Sequence, residues 1–407
     1  MPRGAGHPSL FETAICGGCG TAGLAAALLL ARDGHRVTLF ERFETPRPIG
    51  SGLMLQPTGL AVLAELGLEG AVRAVGAPIK RLEGKAGNRV VLDVSYSALS
   101  DATLHAVGIH RSSLFDILHQ AVVQAAVPIY TGREVASVTD RHLILSNGER
   151  HGPFDIIVDA TGTRTTLAEP SGRQLNFGAL WANVATIDAF PADALVQRYR
   201  NADVMAGVMP SGRATGSARD QSAFFWSLRV TDYDQWLNRG LDAWKSDVVA
   251  LWPETAALLQ EFTDQEQLTL ARYAHRSARK PINGHLIHIG DAWHSASPQL
   301  GQGANMALLD AYALAAGLRQ ATDPLEGLHR AVSLRSGHVR LYQWLTAILT
   351  PVYQSDGRAI PWVRDRIMAP VSRMWPFPRL QAALVAGLVG RPLQRLGIHL
   401  AAPETGR

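Results

Sequence analysis

The sequence predicts an α/β fold: a parallel-sheet domain built from separated stretches, a second β-sheet domain and a helical C-terminal tail. Three observations predict it. A strand, a glycine-rich turn, a helix and a second strand follow one another up to Glu41. A second strand, loop and helix unit stands far downstream, from His285 to Leu318. Between them, stretches such as GALWANVATI and SAFFWSLRV alternate as half-buried strands do.

The composition bounds the function. The chain has 407 residues, 47% of them hydrophobic, enough for two domains or one large elaborated one. Charged residues make up 18%, and no segment has the polar, low-complexity character of disorder. Lys+Arg 39 against Asp+Glu 35 leaves a net charge of +4 without any basic block, which argues against a nucleic-acid partner. Two cysteines exclude a disulfide framework and point to a reducing compartment. The opening MPRGAGHPSL lacks the apolar core and cleavage pattern of a leader, and no stretch reaches the roughly 18–20 apolar residues of a spanning helix. These features predict a soluble cytoplasmic protein.

The first unit contains AICGGCGTAGL, Ala14 to Leu24, which reads in two ways. Cys16 and Cys19 have the C-x-x-C spacing of a zinc knuckle or a redox dithiol. Zinc needs about four ligands, and no second pair follows, so no metal is expected. Overlapping the cysteines, Gly18, Gly20 and Gly23 spell G-x-G-x-x-G. The run TAI with Cys16 supplies the strand before it, LAAALLLARDG the helix, stopping at Gly34, and HRVTLFE a second strand ending in Glu41. In this Rossmann-like unit Gly18 allows the tight turn, and Gly20 lets a pyrophosphate approach the backbone. Gly23 lets the helix pack closely, and Glu41 takes the adenosine ribose hydroxyls. The helix N-terminus holds the phosphates, so an ADP-containing cofactor is expected.

In the downstream unit, LIHIG is a buried-type strand with Asp291 just past its end. Pro298, Gly301 and Gly303 make an irregular loop that opens the helix ANMALLDAYALAAGL. A second anion-friendly helix start thus stands beside a carboxylate able to accept hydroxyl hydrogen bonds. Asp310, inside that helix, is expected to matter far less to the cofactor than Asp291.

The segment HLIHIGDAWHSASPQLGQGANMALLDAYALAAGL resembles the GD motif of the para-hydroxybenzoate hydroxylase family, the single-component FAD-dependent aromatic monooxygenases. The resemblance implies a discontinuous, GR2-type Rossmann-like FAD-binding domain. It puts Asp291 on the ribityl chain and Pro298 against the flavin. The amides of Gly301, Gln302 and Gly303 face the flavin pyrimidine, with Asn305 close by. GIHRSSLFDILHQAV is similar to the family's Arg-bearing helix start and places Arg111 on FAD; Arg42 lies near the adenosine end. His294 matches the histidine of the family's GDAxH, as a flavin-edge residue. YQSDGRAIPWVRDRIMAPVSRMWP resembles the C-terminal region of ubiquinone-pathway-type hydroxylases in the same superfamily.

The implied domain organisation is 10–75, 100–172 and 276–345 for FAD, 76–99 and 173–275 for substrate, and 346–407 for the helical tail. Gln235 to Trp252 has helical apolar spacing, and Pro351, Pro361, Pro370, Pro376 and Pro378 break the tail.

The implied activity is hydroxylation of an aromatic, phenolic or heteroaromatic small molecule through a flavin C(4a)-hydroperoxide, with dioxygen and NAD(P)H. That chemistry needs a dry pocket. Trp181, Met205, Met209, Phe224, Phe225 and Trp226 are candidates for its walls, and Arg229 for an anionic substrate group. Beyond Pro298 and His294 no catalytic group is named. Three other readings stay open: a reductase or hydroxylase of lipid-like substrates touching a membrane through the tail LQAALVAGLVGRPLQRLGIHL, an enzyme fed by a separate flavin reductase, and a non-catalytic flavin-binding scaffold. Halogenation is disfavoured, since the W-x-W-x-I-P signature is missing.

One departure from the family bears on reduction. Its GADG stretch, followed by Ser and Arg, becomes FDIIVDATGTRTTLAEP, with Asp159 at the first glycine and Thr161 at the aspartate. Thr165 stands for the serine and Ala168 for the arginine. The expectation is weakened direct reduction by NAD(P)H unless Asp159 turns into the missing role.

Overall fold

The computed structural model describes residues 10–47, 50–169, 171–357 and 359–400, so most of the opening MPRGAGHPSL and the last residues of the tail lie outside it. The first sheet is parallel at its centre. Its order runs Leu286–His288, Ile156–Asp159, Glu12–Cys16, Arg36–Phe40, Ile129–Tyr130, with Ile282–Asn283 antiparallel at one edge. The helices Thr21–Arg32 and Gly303–Arg319 pack together in the large core cluster that covers this sheet. Every residue from Ala22 to Leu30 is buried, which explains an apolar run with no polar face.

The second sheet has eight strands in the order His294–Ser295, Thr269–Ser277, Arg173–Ala185, Asp220–Arg229, Val204–Arg213, Ala194–Arg200, Arg81–Ala86, Arg89–Ser95. All pairings are antiparallel except that of Ala194–Arg200 with Arg81–Ala86. Strand alternation gives it two faces. Leu180, Phe224 and Trp226 point into a cluster with Trp244, Trp252 and Phe262. Ala223, Phe225, Met205 and Met209 point the other way, into a cluster with Met54 and Ile79. There the strand Gly52–Leu55 packs closely: a Cβ on Gly52 would stand 2.9 Å from the Cβ atoms of Ala223 and Ser211.

The sequence from Gln235 to Trp252 reads as one helix but forms two, Tyr233–Arg239 and Leu241–Leu251. Gly240, at φ +81°, breaks the register between them. The tail also differs from expectation. The helix Pro324–Tyr353 runs through Pro351 and ends two residues later, and Pro361 lies within the turn Ala359–Val363. Of the apolar stretch after Arg379, Ala382, Val385, Ala386, Leu393, Leu396 and Ile398 are buried against the body. Among the described residues, no helix is long and apolar enough to cross a membrane.

Candidate cofactor and substrate site

The glycine turn sits between Glu12–Cys16 and Thr21–Arg32. The left-handed residue is Gly17, at φ +64°, not Gly18. Gly18 is required for a steric reason, since its Cβ would meet Leu39 Cδ2 at 2.3 Å. Gly23 packs on the turn itself, where a Cβ would lie 2.4 Å from the Gly18 carbonyl oxygen. Gly20 is the opposite case. Its Cβ would meet nothing nearer than the Gly17 oxygen at 3.9 Å, so the space beside it is open to a ligand. As N-cap of the helix, Gly20 offers no side chain to the first-turn N–H groups. Glu41 is buried next to the turn, accepting hydrogen bonds from the Cys19 amide at 3.2 Å and the Phe43 amide at 3.1 Å. Arg42 is exposed, its guanidinium 4.6 Å from the Phe43 ring centroid. Burial pushes both thiols up, that of Cys19 to about 12, so neither is a thiolate at neutral pH.

The downstream loop is built the same way. Gly290–Ala292 forms one short turn and Pro298–Leu300 another, and left-handed Gly301, at φ +60°, turns the chain into the helix Gly303–Arg319. Its N-cap Gln302 makes no capping bond, and its side-chain Nε2 donates to the Val385 carbonyl at 2.6 Å. A Cβ on Gly303 would meet nothing within 4 Å. Asp291 is open to solvent on one side, yet the protein around it lifts its carboxyl above the ordinary range, against the pull of His294 and Arg111. Asn305 turns away. It accepts from the Gln56 amide at 2.8 Å and donates to the Met54 and Gly301 carbonyls, tying the loop to the strand Gly52–Leu55.

Behind the loop lies a buried charge network that the sequence did not suggest. Asp310 accepts from the Gly290 amide at 2.9 Å, from His294 Nε2 at 2.6 Å and from Arg335 Nε at 2.7 Å. Burial pushes its carboxyl up, but His294 and Arg335 outweigh this and hold it down to about 2. Asp310 therefore anchors the loop that carries Asp291. His294 is buried, with Nε2 committed to that carboxylate.

Facing the loop is Arg111, first residue of the helix Arg111–Gln124, whose guanidinium runs beside Gly50. Its charge acts on Asp291 and on Tyr273. Tyr273 is the main residue the sequence reading missed. It lies on Thr269–Ser277, and its hydroxyl accepts from Trp181 Nε1 at 2.7 Å, leaving the phenolic proton free to donate. Burial pushes its pKa to about 12, so the proton stays in place at neutral pH. Trp181 packs on Phe225, ring centroids 4.8 Å apart. Trp181, Phe225 and Met205 thus belong to the face turned toward Arg111. Phe224 and Trp226 do not. Being on alternate positions of the same strand, they point into the opposite core, under Trp244. Arg229 is engaged at the surface with Asp356 at 2.6 Å.

The departure at Asp159 is also resolved. Asp159 is wholly buried, its Oδ1 accepting from the Thr161 amide and hydroxyl at 3.0 and 2.6 Å. Its Oδ2 accepts from Thr165 Oγ1 at 2.6 Å and is 2.7 Å from His288 Nδ1. These four contacts leave it no freedom to take over another position's role. No arginine stands at Ala168, but Arg276 enters the same loop from the second sheet, donating to the carbonyls of Thr163, Ala168 and Glu169.

Two helix starts without side-chain caps, open space at Gly20 and Gly303, and a solvent-reachable carboxylate at Asp291 fit a long dinucleotide. Comparison with known proteins agrees with that shape. The family model described as FAD binding domain matches residues 11–325. The putative FAD-dependent monooxygenase YetM of Bacillus subtilis (strain 168) is 27% identical over 328 residues, covering 76% of this chain and 85% of the relative. The 6-methylpretetramide 4-monooxygenase of Streptomyces rimosus is 27% identical over 398 residues, covering 91% of each chain. The tetrameric form of 2-methyl-3-hydroxypyridine-5-carboxylic acid oxygenase shares the fold, with a TM-score of 0.77 at 20% identity, covering 94% of this chain and 98% of that one.

Proposed function

We propose that this chain, which belongs to the FAD binding domain family and is an FAD-dependent monooxygenase, hydroxylates a phenolic or heteroaromatic small molecule, with NAD(P)H as reductant. FAD, once reduced, supplies the activation of dioxygen from which one oxygen atom reaches the ring. The protein's own residues bind and orient. The amides after Gly20 would hold the pyrophosphate, and Glu41 would receive the adenosine ribose hydroxyls. Asp291 would take ribityl hydroxyls, Arg111 would add positive charge, and the amides from Gly301 to Gly303 would stabilise negative charge on the reduced flavin.

The observation that carries the substrate class is the pair Trp181 and Tyr273. The indole fixes the phenol oxygen as an acceptor, so the phenolic proton points elsewhere, toward a ring hydroxyl or ring nitrogen of the substrate. Phe225 and Met205 extend an apolar wall beside it, which keeps water from the reacting atoms. Tyr273 serves as donor and not as base, because its pKa of about 12 keeps it protonated.

The test is a panel of phenols and hydroxylated heteroaromatics incubated with the flavin-loaded enzyme, NADH or NADPH and isotopically labelled dioxygen. Support would be one labelled oxygen in the product, with Tyr273→Phe releasing more hydrogen peroxide per NAD(P)H consumed. NAD(P)H oxidation without any labelled product across the panel would overturn the substrate class. A second reading, delivery of electrons by a separate flavin reductase, is favoured by one observation. Thr161 stands in place of an aspartate, and the neighbouring Asp159 carboxylate is fully engaged. The buried neutral thiols of Cys16 and Cys19 suit a reducing, cytoplasmic setting.

A further inference from the structure

Exposed apolar side chains are not spread evenly over this molecule. Of the sixteen large hydrophobic residues that stand exposed among the described residues, twelve lie between Trp344 and Leu380. Trp375 is 88% exposed and Trp344 62%, and Trp362, Ile367, Met374 and Leu380 belong to the same group. Exposed apolar side chains concentrated in one segment in this way mark an interaction surface.

Its charge is one-sided. Arg340, Arg366, Arg373 and Arg379 are exposed on the same segment. From 340 to 400 the described residues include only two carboxylates, and both are occupied: Asp356 by Arg229 at 2.6 Å and Asp365 by Arg364 at 2.6 Å. Arg366 lies over the Trp362 ring, 5.6 Å from its centroid, with its charged end beside the aromatic ring. Tryptophan and arginine on one face are the residues that settle at the boundary between lipid headgroups and acyl chains.

We infer that this outer face docks on an anionic lipid surface. A second copy of the chain fits it poorly. A two-fold contact would set the arginines of one protomer against those of the other, with no free carboxylate in the segment to receive them. The sequence leaves lipid contact open for the stretch after Arg379, but that stretch is largely packed inward, and the exposed apolar residues lie before it. The inner side of the same region, through Ala369, Ala382 and Val385, packs on the cluster that holds Phe225 and Met205. Docking therefore brings the lipid surface next to the wall of the substrate site.

The experiment is co-sedimentation of the full-length, flavin-loaded protein with phosphatidylcholine vesicles, with and without about 30% phosphatidylglycerol. Binding is expected only to the anionic vesicles and should weaken at high salt. The double variants Ile367→Asp/Trp375→Asp and Arg366→Glu/Arg379→Glu should each lower the partition coefficient by about tenfold or more while retaining flavin. No binding to anionic vesicles, or equal binding by both variants, would overturn the inference. So would light scattering that shows a dimer dissociated by Trp375→Asp in a protein that ignores vesicles.

Discussion

Asp310 Oδ2 joins the Gly290 amide to His294 Nε2, at 2.9 and 2.6 Å, so a carboxylate inside a helix holds the loop that presents Asp291. Asp291 and Asp310 thus have different jobs, and substitution separates them. Asp310→Asn leaves Arg335 buried without its ionic partner and should cost about 3–5 kcal/mol of stability together with flavin. Asp291→Ala should leave Tm nearly unchanged while weakening FAD by about 10–100-fold, the worth of hydrogen bonds to a charged group. Calorimetry and flavin titration on both variants check this. An unchanged Tm in Asp310→Asn would contradict the network.

The same network fixes a pH dependence. The Asp310 carboxyl titrates near 2 in the folded protein and near 3.9 when unfolded. A lowered folded value means the unfolded chain binds the proton first, so the stabilisation is complete above about 4 and is lost as pH falls through about 2. Urea midpoints for wild type and Asp310→Asn should differ by a constant amount above about pH 5, and the gap should narrow as pH falls from about 4 to about 2. A gap of constant size down to the acid end would refute the assignment.

The glycine turn offers a cleaner separation of fold from binding. Gly20→Val places its side chain in open space, so the protein should fold but purify without flavin. Gly23→Ala drives a Cβ to 2.4 Å from the Gly18 oxygen and should cost about 1–3 kcal/mol of stability. Full flavin content in Gly20→Val would remove the pyrophosphate from this turn.

Restoring the family's aspartate should not help this chain. In Thr161→Asp a second carboxylate replaces the hydroxyl that donates to Asp159, and like charges in one buried site oppose each other. The variant should have a lower Tm than wild type and show no faster anaerobic reduction by NADH or NADPH. Stopped-flow absorbance of the flavin reads this directly. A clear acceleration in the variant would mean that the missing carboxylate limits reduction, as in a chain served by a separate reductase.

Much of the candidate site is legible in the sequence because its signals are local. The glycine turn, Glu41 and the Asp291 loop each sit within one strand, turn and helix unit, where spacing alone constrains the backbone. Tyr273 and Arg276 were not legible, because their partners Trp181 and Thr163 are about a hundred residues away and meet them only in the folded chain. Asp310 escaped for a similar reason, since Arg335 arrives from the next helix. The alternation of Phe224, Phe225 and Trp226 was visible, but which face turned toward Arg111 depended on the helices that cover Phe224 and Trp226. Gly240, read as part of a helix, shows the limit of apolar periodicity where a single residue adopts positive φ.

The pairing of Ile157 with Leu286 in the parallel sheet has a consequence for biosynthesis. That contact closes a chain loop in which five strands of the other sheet, from Arg173 to Ser277, are made first. Loop closure costs entropy that grows only slowly with length, and strands already paired inside the loop shorten its effective span. On the ribosome, the antiparallel strands can assemble while the parallel sheet still lacks the strand Leu286–His288, and with it the Asp291 loop. Complete flavin capture would therefore await that strand, and a nascent chain stalled before it would hold the glycine turn and Glu41 without the Asp291 loop.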